Sequence, residues 1–319
     1  MDKRSSLMEI LGADLPIVQA PIGSAATVDL VAEVGRAGGI GGLALTWTKQ
    51  ATAIAQVRAL KERLGRRFFV NYVLRFPLIS LEAVLAEGVP AITLSWGADA
   101  DLVARIKSTG ARVGVQVGHP LGAKRAKDAG VDFIIAQGYE AGGHVQSTMP
   151  LMTLLAGVRE VAEGLPVVAA GGLSTAACVA HALKAGAAAA MLGTRFLATT
   201  EADAHASYKL AILHAQAADT AFTNCFDIGW PYATVRVLRN STFDSWEAAG
   251  CPMAPDRPGE GDTVAHQRGA AVVRYSDAPP LADATGDPLA ACLYAGTSVD
   301  GIEDIVPAFE LVRRLRPTN

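Results

Sequence analysis

The sequence predicts an α/β fold, a (β/α)8 TIM barrel with a smaller, mainly helical appended domain. Short apolar runs of strand length recur along residues 16–194 of the 319-residue chain, and segments with helical spacing separate them. Runs that are apolar nearly throughout are typical of parallel strands buried on both faces. The eight runs are Pro16–Ala20, Gly39–Ala44, Phe68–Val73, Ala91–Ser95, Arg112–Val117, Asp132–Ala136, Pro166–Ala170 and Ala189–Gly193.

The segments between these runs repeat apolar residues at helical spacing, as in Ile54, Val57, Leu60 and Leu64. Most of them end at a glycine just before the next run, where a left-handed backbone favours glycine. These glycines are Gly38, Gly65, Gly88, Gly110, Gly130, Gly164 and Gly186. Eight strand–helix units, the last helix beginning near Thr200, indicate a barrel. A doubly wound open sheet is the alternative, but no GxGxxG opens the first βα turn.

The repeat stops near residue 205. Residues 205–222 have a helical, alanine-rich pattern, and 250–262 and 277–288 are rich in Pro, Gly and Asp, as in loops. The tail, Ile302–Leu315, is predicted to be an amphipathic helix that packs back on the barrel. We therefore expect residues 1–204 and 295–319 to form the barrel and 205–294 to form the smaller domain, which could cover the strand ends as a lid.

Composition excludes several classes of protein. The net charge is −3 with no Lys/Arg-rich run, so neither a nucleic-acid nor an anionic-membrane surface is expected. The early apolar stretch Leu7–Leu11 is interrupted by Glu9, which is unlike a signal peptide, and no segment is apolar enough to span a membrane. The four cysteines form no CxxC pair. A cytoplasmic protein is the simplest expectation.

Barrel enzymes place their chemistry at the carboxyl ends of the strands. After the seventh run, Gly171 and Gly172 allow close approach of an anion, and Ser174 or Thr175 can cap the next helix. After the eighth, Gly193-Thr194-Arg195 supplies a glycine, a hydroxyl and a cation. These two loops predict a phosphate-bearing ligand; the alternative is that the glycines only form tight turns.

The stretch Gln137–His144 (QGYEAGGH) contains the best candidate acid or base. His144 follows the sixth run on a glycine loop, and imidazole changes charge near neutral pH. His119 precedes Pro120 and is expected to mark the turn into the next helix. Glu140 and His144 have the spacing of metal ligands, but no HxH or HExxH pattern supplies a third, so no metal is expected.

Other strand ends carry weaker signals. Gln19–Gly23 after the first run has no titratable group but could line a flat ring through its backbone. Asn71 and Gln116 are amides in apolar runs, and buried amides need partners, which could simply be the barrel backbone. Four aromatic residues are candidates for the substrate side, although core packing is the alternative for each: Trp47, Trp96, Trp230 and Tyr294.

Several motifs together resemble the nitronate monooxygenase (2-nitropropane dioxygenase) family, which is related to the flavin-type enoyl-acyl-carrier-protein reductases. The matching pieces are PIVQAPIG at Pro16–Gly23, EAGGH at Glu140–His144, VAAGGL at Val168–Leu173, MLGTRFLATTEADAHASY at Met191–Tyr208 and, less closely, LYAGTS at Leu293–Ser298. The resemblance covers the barrel, and no motif of the family is aligned within residues 223–290.

The resemblance implies non-covalent FMN. It implies that Ala20, Pro21, Ile22 and Gly23 face the isoalloxazine ring, that Asn71 and Gln116 bond its polar edge, and that Gln137, Gly142 and Gly143 lie along the flavin and ribityl chain. It places the phosphate on Ala170, Gly171, Gly172, Gly193 and Thr194, and His144 over the ring as the catalytic residue.

The function implied is oxidation of alkyl nitronates with O2 to a carbonyl compound and nitrite. An NAD(P)H-dependent reductase of enoyl thioesters or quinones is the alternative within flavin chemistry, and a non-redox barrel that binds a phosphorylated metabolite is the third hypothesis. The expected partners are a small-molecule substrate with O2 or NAD(P)H, and a homodimer is left open.

Overall fold

Eight parallel strands form a barrel in the computed structural model, which describes residues 3–317. The barrel strands are β1 Ile17–Gln19, β2 Gly41–Ala44, β3 Phe68–Val73, β4 Ala91–Ser95, β5 Arg112–Val117, β6 Phe133–Gln137, β8 Val167–Ala170 and β9 Ala189–Leu192, and β7 is the short strand Gly143–His144 after β6. Their order is β1–β9–β8–β6–β5–β4–β3–β2.

The barrel closes between its first two strands. Val18 bridges Ile40 in parallel, and the Gln19 amide donates to the Ile40 carbonyl at 2.8 Å. The Gln19 side chain completes the seam, because its Oε1 accepts from the Gly42 amide and its Nε2 donates to the Gly42 carbonyl, both at 3.0 Å. The predicted TIM barrel is therefore confirmed, and the alternative of a doubly wound open sheet is wrong.

The helices alternate with the strands as the sequence predicts. They are α1 Lys3–Leu11, α2 Val28–Arg36, α3 Gln50–Leu64, α4 Leu81–Ala86, α5 Ala100–Ser108, α6 Pro120–Asp128, α7 Leu151–Ala162, α8 Ala176–Lys184, α9 Thr194–Leu197, α10 Ala206–His214, α11 Ser241–Ala248 and α12 Ala308–Arg314. The seven glycines predicted to end helices all have positive φ, between 63° and 107°. His119 is the N-cap of α6, and its Nδ1 accepts from the Leu121 amide, as expected of a turn residue.

The core has two layers. Between strands and helices lies the larger apolar cluster, which includes Leu30, Val70 and Leu154. Inside the barrel, Phe69 and Phe133 fill the space, and Leu7 and Leu11 of α1 pack against the same interior cluster. Glycine makes room for these rings: a Cβ at Gly42 or at Gly114 would lie 2.3 Å from the Phe69 or the Phe133 ring, respectively.

The eighth helix departs from the prediction that it begins near Thr200. The short α9 comes first, and α10 begins only at Ala206. The residues between them hold the carboxyl-terminal segment: Thr199 bridges Val306, and the Glu201 carboxylate accepts from the Ala308 amide. These bonds take the place of a continuing helix.

The tail packs back on the barrel as predicted, but its helix is shorter than Ile302–Leu315. Pro307 is the N-cap of α12, and α12 packs against α2. Leu311 and Val312 are buried in the barrel's outer cluster.

The segment 205–294, expected to be mainly helical, is mixed. Besides α10 and α11 it carries β10 Thr220–Thr223, β11 Val235–Leu238, β12 Thr263–Gln267, β13 Ala270–Val273 and β14 Thr285–Gly286. Strands β12 and β13 form a hairpin whose turn residues, Arg268 and Gly269, both have positive φ, which matches the twist of a two-residue hairpin. Strand β11 pairs with β7 of the barrel loop. The domain boundaries at 204/205 and 294/295 stay a prediction.

Within residues 3–317, no helix combines the length and the apolar character needed to cross a membrane.

Candidate active site at the carboxyl ends of the barrel strands

The residues predicted for the site come from strand ends and βα loops on one side of the barrel. Because the strands are parallel, their carboxyl ends meet at the same edge. At this edge lie the loop after β1, the amide side chains of β3, β5 and β6, strand β7, and the loops after β8 and β9. The predicted site residues found there are Ala20, Pro21, Ile22, Gly23, Asn71, Gln116, Gln137, Gly142, Gly143, His144, Ala170, Gly171, Gly172, Gly193 and Thr194.

The three amide side chains are linked to neighbouring strands. Gln116 Nε2 donates to Gln137 Oε1 at 3.0 Å, and Gln137 Nε2 donates to the His144 carbonyl at 3.2 Å. Asn71 Nδ2 donates to both the carbonyl and the hydroxyl of Thr93, at 3.2 and 3.0 Å. The two glutamines therefore form a chain of hydrogen bonds from β5 to the backbone of His144, and this chain holds the loop that carries the candidate catalytic residue.

The loops after β8 and β9 offer amide groups. Gly171 and Gly172 have φ of 117° and 68°, conformations that favour glycine. Within residues 3–317, the amides of Gly172, Gly193 and Thr194 donate to no other group of the protein. Thr175, rather than Ser174, caps α8, because its Oγ1 accepts from the Cys178 amide at 3.2 Å. Free amides at glycine loops suit an anion such as phosphate.

Arg195 does not supply the cation that the sequence suggested for this site. Its guanidinium is buried and donates to the Asp304 carboxylate at 2.5 Å and to the carbonyls of Ala198 and Asp304. Burial is tolerated because these acceptors pair the charge. Arg195 thus ties the barrel to its carboxyl-terminal segment.

His144 lies where the appended segment meets the barrel. Strand β7 pairs it with Val235 of β11, and its ring stacks on Trp230 with centroids 4.2 Å apart. Its Nε2 is buried and has no hydrogen-bond partner in the part of the chain described. Burial lowers the pKa of His144 to about 4, because desolvation disfavours the imidazolium. His144 is therefore a neutral imidazole at physiological pH with a nitrogen available to a ligand.

Glu140 braces the loop that carries His144. Its two carboxylate oxygens accept from the Leu151 amide at the start of α7, at 3.0 and 2.8 Å. A carboxylate at a helix N-terminus is favoured by the free amides and the dipole. Glu140 thus shapes the loop that carries His144.

The two glycines between Glu140 and His144 differ. A Cβ at Gly142 would lie 2.5 Å from the Gly296 amide nitrogen, so Gly142 is needed where two backbones touch. Gly143 has φ of 78° with open space beside its Cα. Gly296 also donates to Thr194 Oγ1 at 3.0 Å, which joins this loop to the one after β9.

Sequence reasoning missed two groups here. Phe76 follows β3 and its ring contacts those of Trp47 and Trp230 at 5.0 and 4.9 Å. Asp277 lies in a loop read only as Pro-, Gly- and Asp-rich; burial raises the pKa of its carboxyl to about 6. Its backbone carbonyl accepts from the Tyr294 hydroxyl at 2.6 Å, and the Tyr294 ring is 5.6 Å from that of His144. Phe76 follows the third apolar run as Trp47 follows the second, so the strand-end rule could have found it, whereas no pattern in the sequence marks Asp277.

Comparison with known proteins decides the family. The sequence model of the family described as nitronate monooxygenase matches residues 70–317, so the match extends over residues 223–290, where no family motif was expected. The chain belongs to the nitronate monooxygenase family. It is 30% identical to a nitronate monooxygenase of Pseudomonas aeruginosa, with 83% of this chain and 88% of that protein covered.

Two further proteins show the breadth of the nitronate monooxygenase family's relatives. A Mycobacterium tuberculosis protein named (3aS,4S,5R,7aS)-5-hydroxy-7a-methyl-1-oxo-octahydro-1H-indene-4-carboxyl-CoA dehydrogenase is 34% identical, with 78% of this chain and 70% of that protein covered. The solved structure of a nitroalkane oxidase from Streptomyces ansochromogenes is 29% identical with a TM-score of 0.78, and covers 97% of this chain and 96% of its own. The protein is an oxidoreductase of this family, and the non-redox hypothesis is set aside.

Proposed function

We propose that the protein is an FMN-dependent oxidoreductase that converts alkyl nitronates and O2 to a carbonyl compound and nitrite. The observation that carries the proposal is the state of His144: a neutral imidazole whose Nε2 is buried and has no protein partner within residues 3–317. Such a nitrogen is available to hydrogen-bond an oxygen of the substrate.

The strand ends fit FMN. The amides of Gly172, Gly193 and Thr194 are free for the phosphate, and Gly193 has room, since a Cβ there would meet only Ala20 and Ile22 at 3.6 Å. The residues proposed for the ring are Ala20, Pro21, Ile22 and Gly23, with Asn71 and Gln116 at its polar edge, Gln137, Gly142 and Gly143 along the ribityl chain, and Ala170, Gly171, Gly172, Gly193 and Thr194 at the phosphate. When bound, FMN supplies the electron-accepting chemistry.

The role proposed for His144 is to bind and orient the nitronate. A group with a pKa of about 4 is a weak base, so His144 is poorly suited to remove a proton from a neutral nitroalkane. A nitronate arrives as an anion and needs no such step. In its Nε2–H tautomer the neutral imidazole donates to a nitronate oxygen, and the nearby negative charge raises the pKa of His144 again. The Trp230 ring, stacked on the imidazole, covers one of its faces.

Anaerobic mixing tests the proposal. The purified protein should show a flavin absorbance spectrum, which a nitronate should bleach in the absence of O2. Readmitted O2 should restore the spectrum and release nitrite. A flavin that no nitronate bleaches would contradict the proposed reaction.

A reductase of enoyl thioesters or quinones that uses NAD(P)H is the second candidate. The similarity to the M. tuberculosis protein favours it, because the name of that protein specifies a carboxyl-CoA dehydrogenase. Rapid bleaching by NADH or NADPH, without bleaching by a nitronate, would favour this candidate over the first. Light scattering of the purified protein tests whether it is a homodimer.

A further inference from the structure

Four aromatic rings pack against one another at the strand ends, around the buried Trp230 and with Phe76 and Trp96 half-buried. Trp47, Phe76 and Trp96 follow β2, β3 and β4, and Trp230 comes from the appended segment. Ring centroids are 5.0 Å apart for Trp47–Phe76, 4.9 Å for Phe76–Trp230 and 4.8 Å for Trp96–Trp230. We call these four residues the aromatic wall.

The wall begins at the candidate catalytic residue. Trp230 lies between the other wall rings and His144, on which it stacks at 4.2 Å. At the far end Trp47 is 56% exposed. The wall therefore extends from Trp230, which is stacked on His144, to the exposed Trp47.

The rings are arranged as a surface rather than a cage. Neighbouring wall rings meet at interplanar angles of 54° to 85°, and their centroids are within 5.0 Å of each other. Contact at this distance leaves no gap between rings for a compact cation. Tilted rings present both faces and edges, with which a further aromatic ring can stack or meet edge to face.

Trp96 is held in the wall against its backbone preference. Its φ is 65°, a left-handed conformation that bulky residues rarely adopt. Strain of this kind persists where the surrounding structure holds a side chain in a functional position. Here it brings the indole of Trp96 onto that of Trp230.

We infer that the substrate carries a planar ring or fused-ring body that lies on the aromatic wall while its charged group reaches His144. The inference names the substrate class of the site and rests on the proposed function for the identity of the charged group, a nitronate. It assigns Trp47, Phe76 and Trp96 as specificity-determining residues.

Calorimetric binding to the holoenzyme tests the inference without turnover. The probes are 2-naphthoate, the saturated decalin-2-carboxylate and propionate, which share a planar anionic carboxylate. We expect wild type to bind 2-naphthoate about tenfold more tightly than decalin-2-carboxylate, the factor that aromatic contact adds to burial. Trp47→Ala should remove most of this preference and leave propionate binding unchanged.

Leu210→Ala is the matched control, because Leu210 is an exposed apolar residue of α10 outside the wall. It should keep the wild-type preference. Phe76→Leu provides a second wall variant if Trp47→Ala does not fold. Equal affinity of wild type for the flat and saturated acids, the same loss in Leu210→Ala, or preferential binding of tetramethylammonium would overturn the inference.

Kinetics separate the inference from the proposed function. The ratio of kcat/KM for the nitronate of phenylnitromethane to that of nitroethane should fall about tenfold in Trp47→Ala. If no nitronate bleaches the flavin but the naphthoate preference depends on Trp47, the proposed reaction is wrong and the ring subsite is supported. If nitronates react but without preference for the aryl compound in wild type, the inference alone is wrong.

Discussion

The imidazole of His144 stacks on the indole of Trp230, with centroids 4.2 Å apart and planes 28° from parallel. One residue comes from the barrel loop and the other from the appended segment, so this contact makes the segment part of the site. Trp230→Leu should admit water and raise the pKa of His144 by about one unit toward 6.5, because desolvation lowers it.

Histidine-selective NMR titration measures this change. Trp246→Leu is the matched control, since Trp246 is a buried tryptophan of α11 that contacts Phe243. It should lose stability to a similar extent and leave the pKa of His144 unchanged. An equal shift in both variants would assign the effect to general loosening of the segment.

Replacement of His144 tests its chemical role. His144→Asn should retain FMN, because the proposed cofactor contacts lie on other residues, and should lower kcat/KM for nitronates by about 10²-fold or more. The exposed His214 at the end of α10 gives the control His214→Asn, which should behave as wild type. Wild-type turnover in His144→Asn would show that another group binds the nitronate.

The pH dependence of stability should reveal two partly buried, desolvated groups with opposite effects. The pKa of His144 falls from 6.5 to about 4 on folding, so the unfolded chain binds more protons and stability is lost as pH falls through this range. The pKa of the Asp277 carboxyl rises from 3.8 to about 6, so the folded chain binds more protons and stability is lost as pH rises toward 6. Each contribution is about 3 kcal/mol at most, and in wild type the two nearly cancel.

Variants separate the two contributions. Relative to wild type, His144→Asn should become more stable as pH falls from 6.5 to 4.5, and Asp277→Asn should become less stable over the same interval. Urea unfolding at several pH values measures how the free energy of unfolding of each protein changes with pH. Carboxylates common to all three proteins cancel when each variant is compared with wild type. Parallel curves for the three proteins would contradict the assigned pKa shifts.

The barrel could be predicted from the sequence because each of its strands and helix ends is marked by a pattern within its own short segment. Strands buried on both faces are apolar nearly throughout, and helices such as α5 end at a glycine, Gly110, whose φ of 87° only glycine adopts easily. The strands of the appended segment could not be predicted, because their partners are remote: Val235 pairs with His144. The direction in which a long side chain points cannot be predicted from the sequence either. Arg195 follows a glycine loop of the phosphate-binding type, but its guanidinium binds Asp304 instead.

The position of the candidate site could be predicted from the sequence, but the set of residues that faces the substrate could not. The rule that barrel chemistry lies at strand ends brought His144 and the glycine loops together. The aromatic wall combines residues from three βα loops with Trp230, and their spacing in the sequence has no period. Trp47, Trp96 and Trp230 were recognised singly, and Phe76 was missed although it follows its apolar run as Trp47 does.

Glu140 should stabilise the loop without taking part in the reaction. Glu140→Gln keeps the shape of the side chain but removes the charge that pairs with the Leu151 amide at the start of α7. We expect a loss of about 1 kcal/mol in the free energy of unfolding and unchanged kcat. Glu160→Gln, on the exposed face of the same helix, should change stability by less than about 0.5 kcal/mol. A large fall in kcat without a change in stability would place Glu140 in the reaction instead.

Gly142 should be intolerant of any side chain, because it is the contact point of two backbones. A Cβ there would lie 2.5 Å from the Gly296 amide nitrogen and 2.6 Å from the Ala295 carbonyl carbon, and backbone cannot move aside as a side-chain tip can. Gly142→Ala should therefore cost about 2 kcal/mol or more of unfolding free energy and disturb the Gly296–Thr194 bond that joins the two loops.

The control for Gly142→Ala is Gly122→Ala in α6, where the new Cβ would meet only Val117, at 3.4 Å. Alanine has the higher helix propensity, so this variant should be as stable as wild type or gain up to about 1 kcal/mol. Urea unfolding compares the two, and FMN retention after gel filtration reports on the joined loops. A Gly142→Ala protein with wild-type stability would show that the loop can move away from Gly296, and the close approach would then have no part in holding His144.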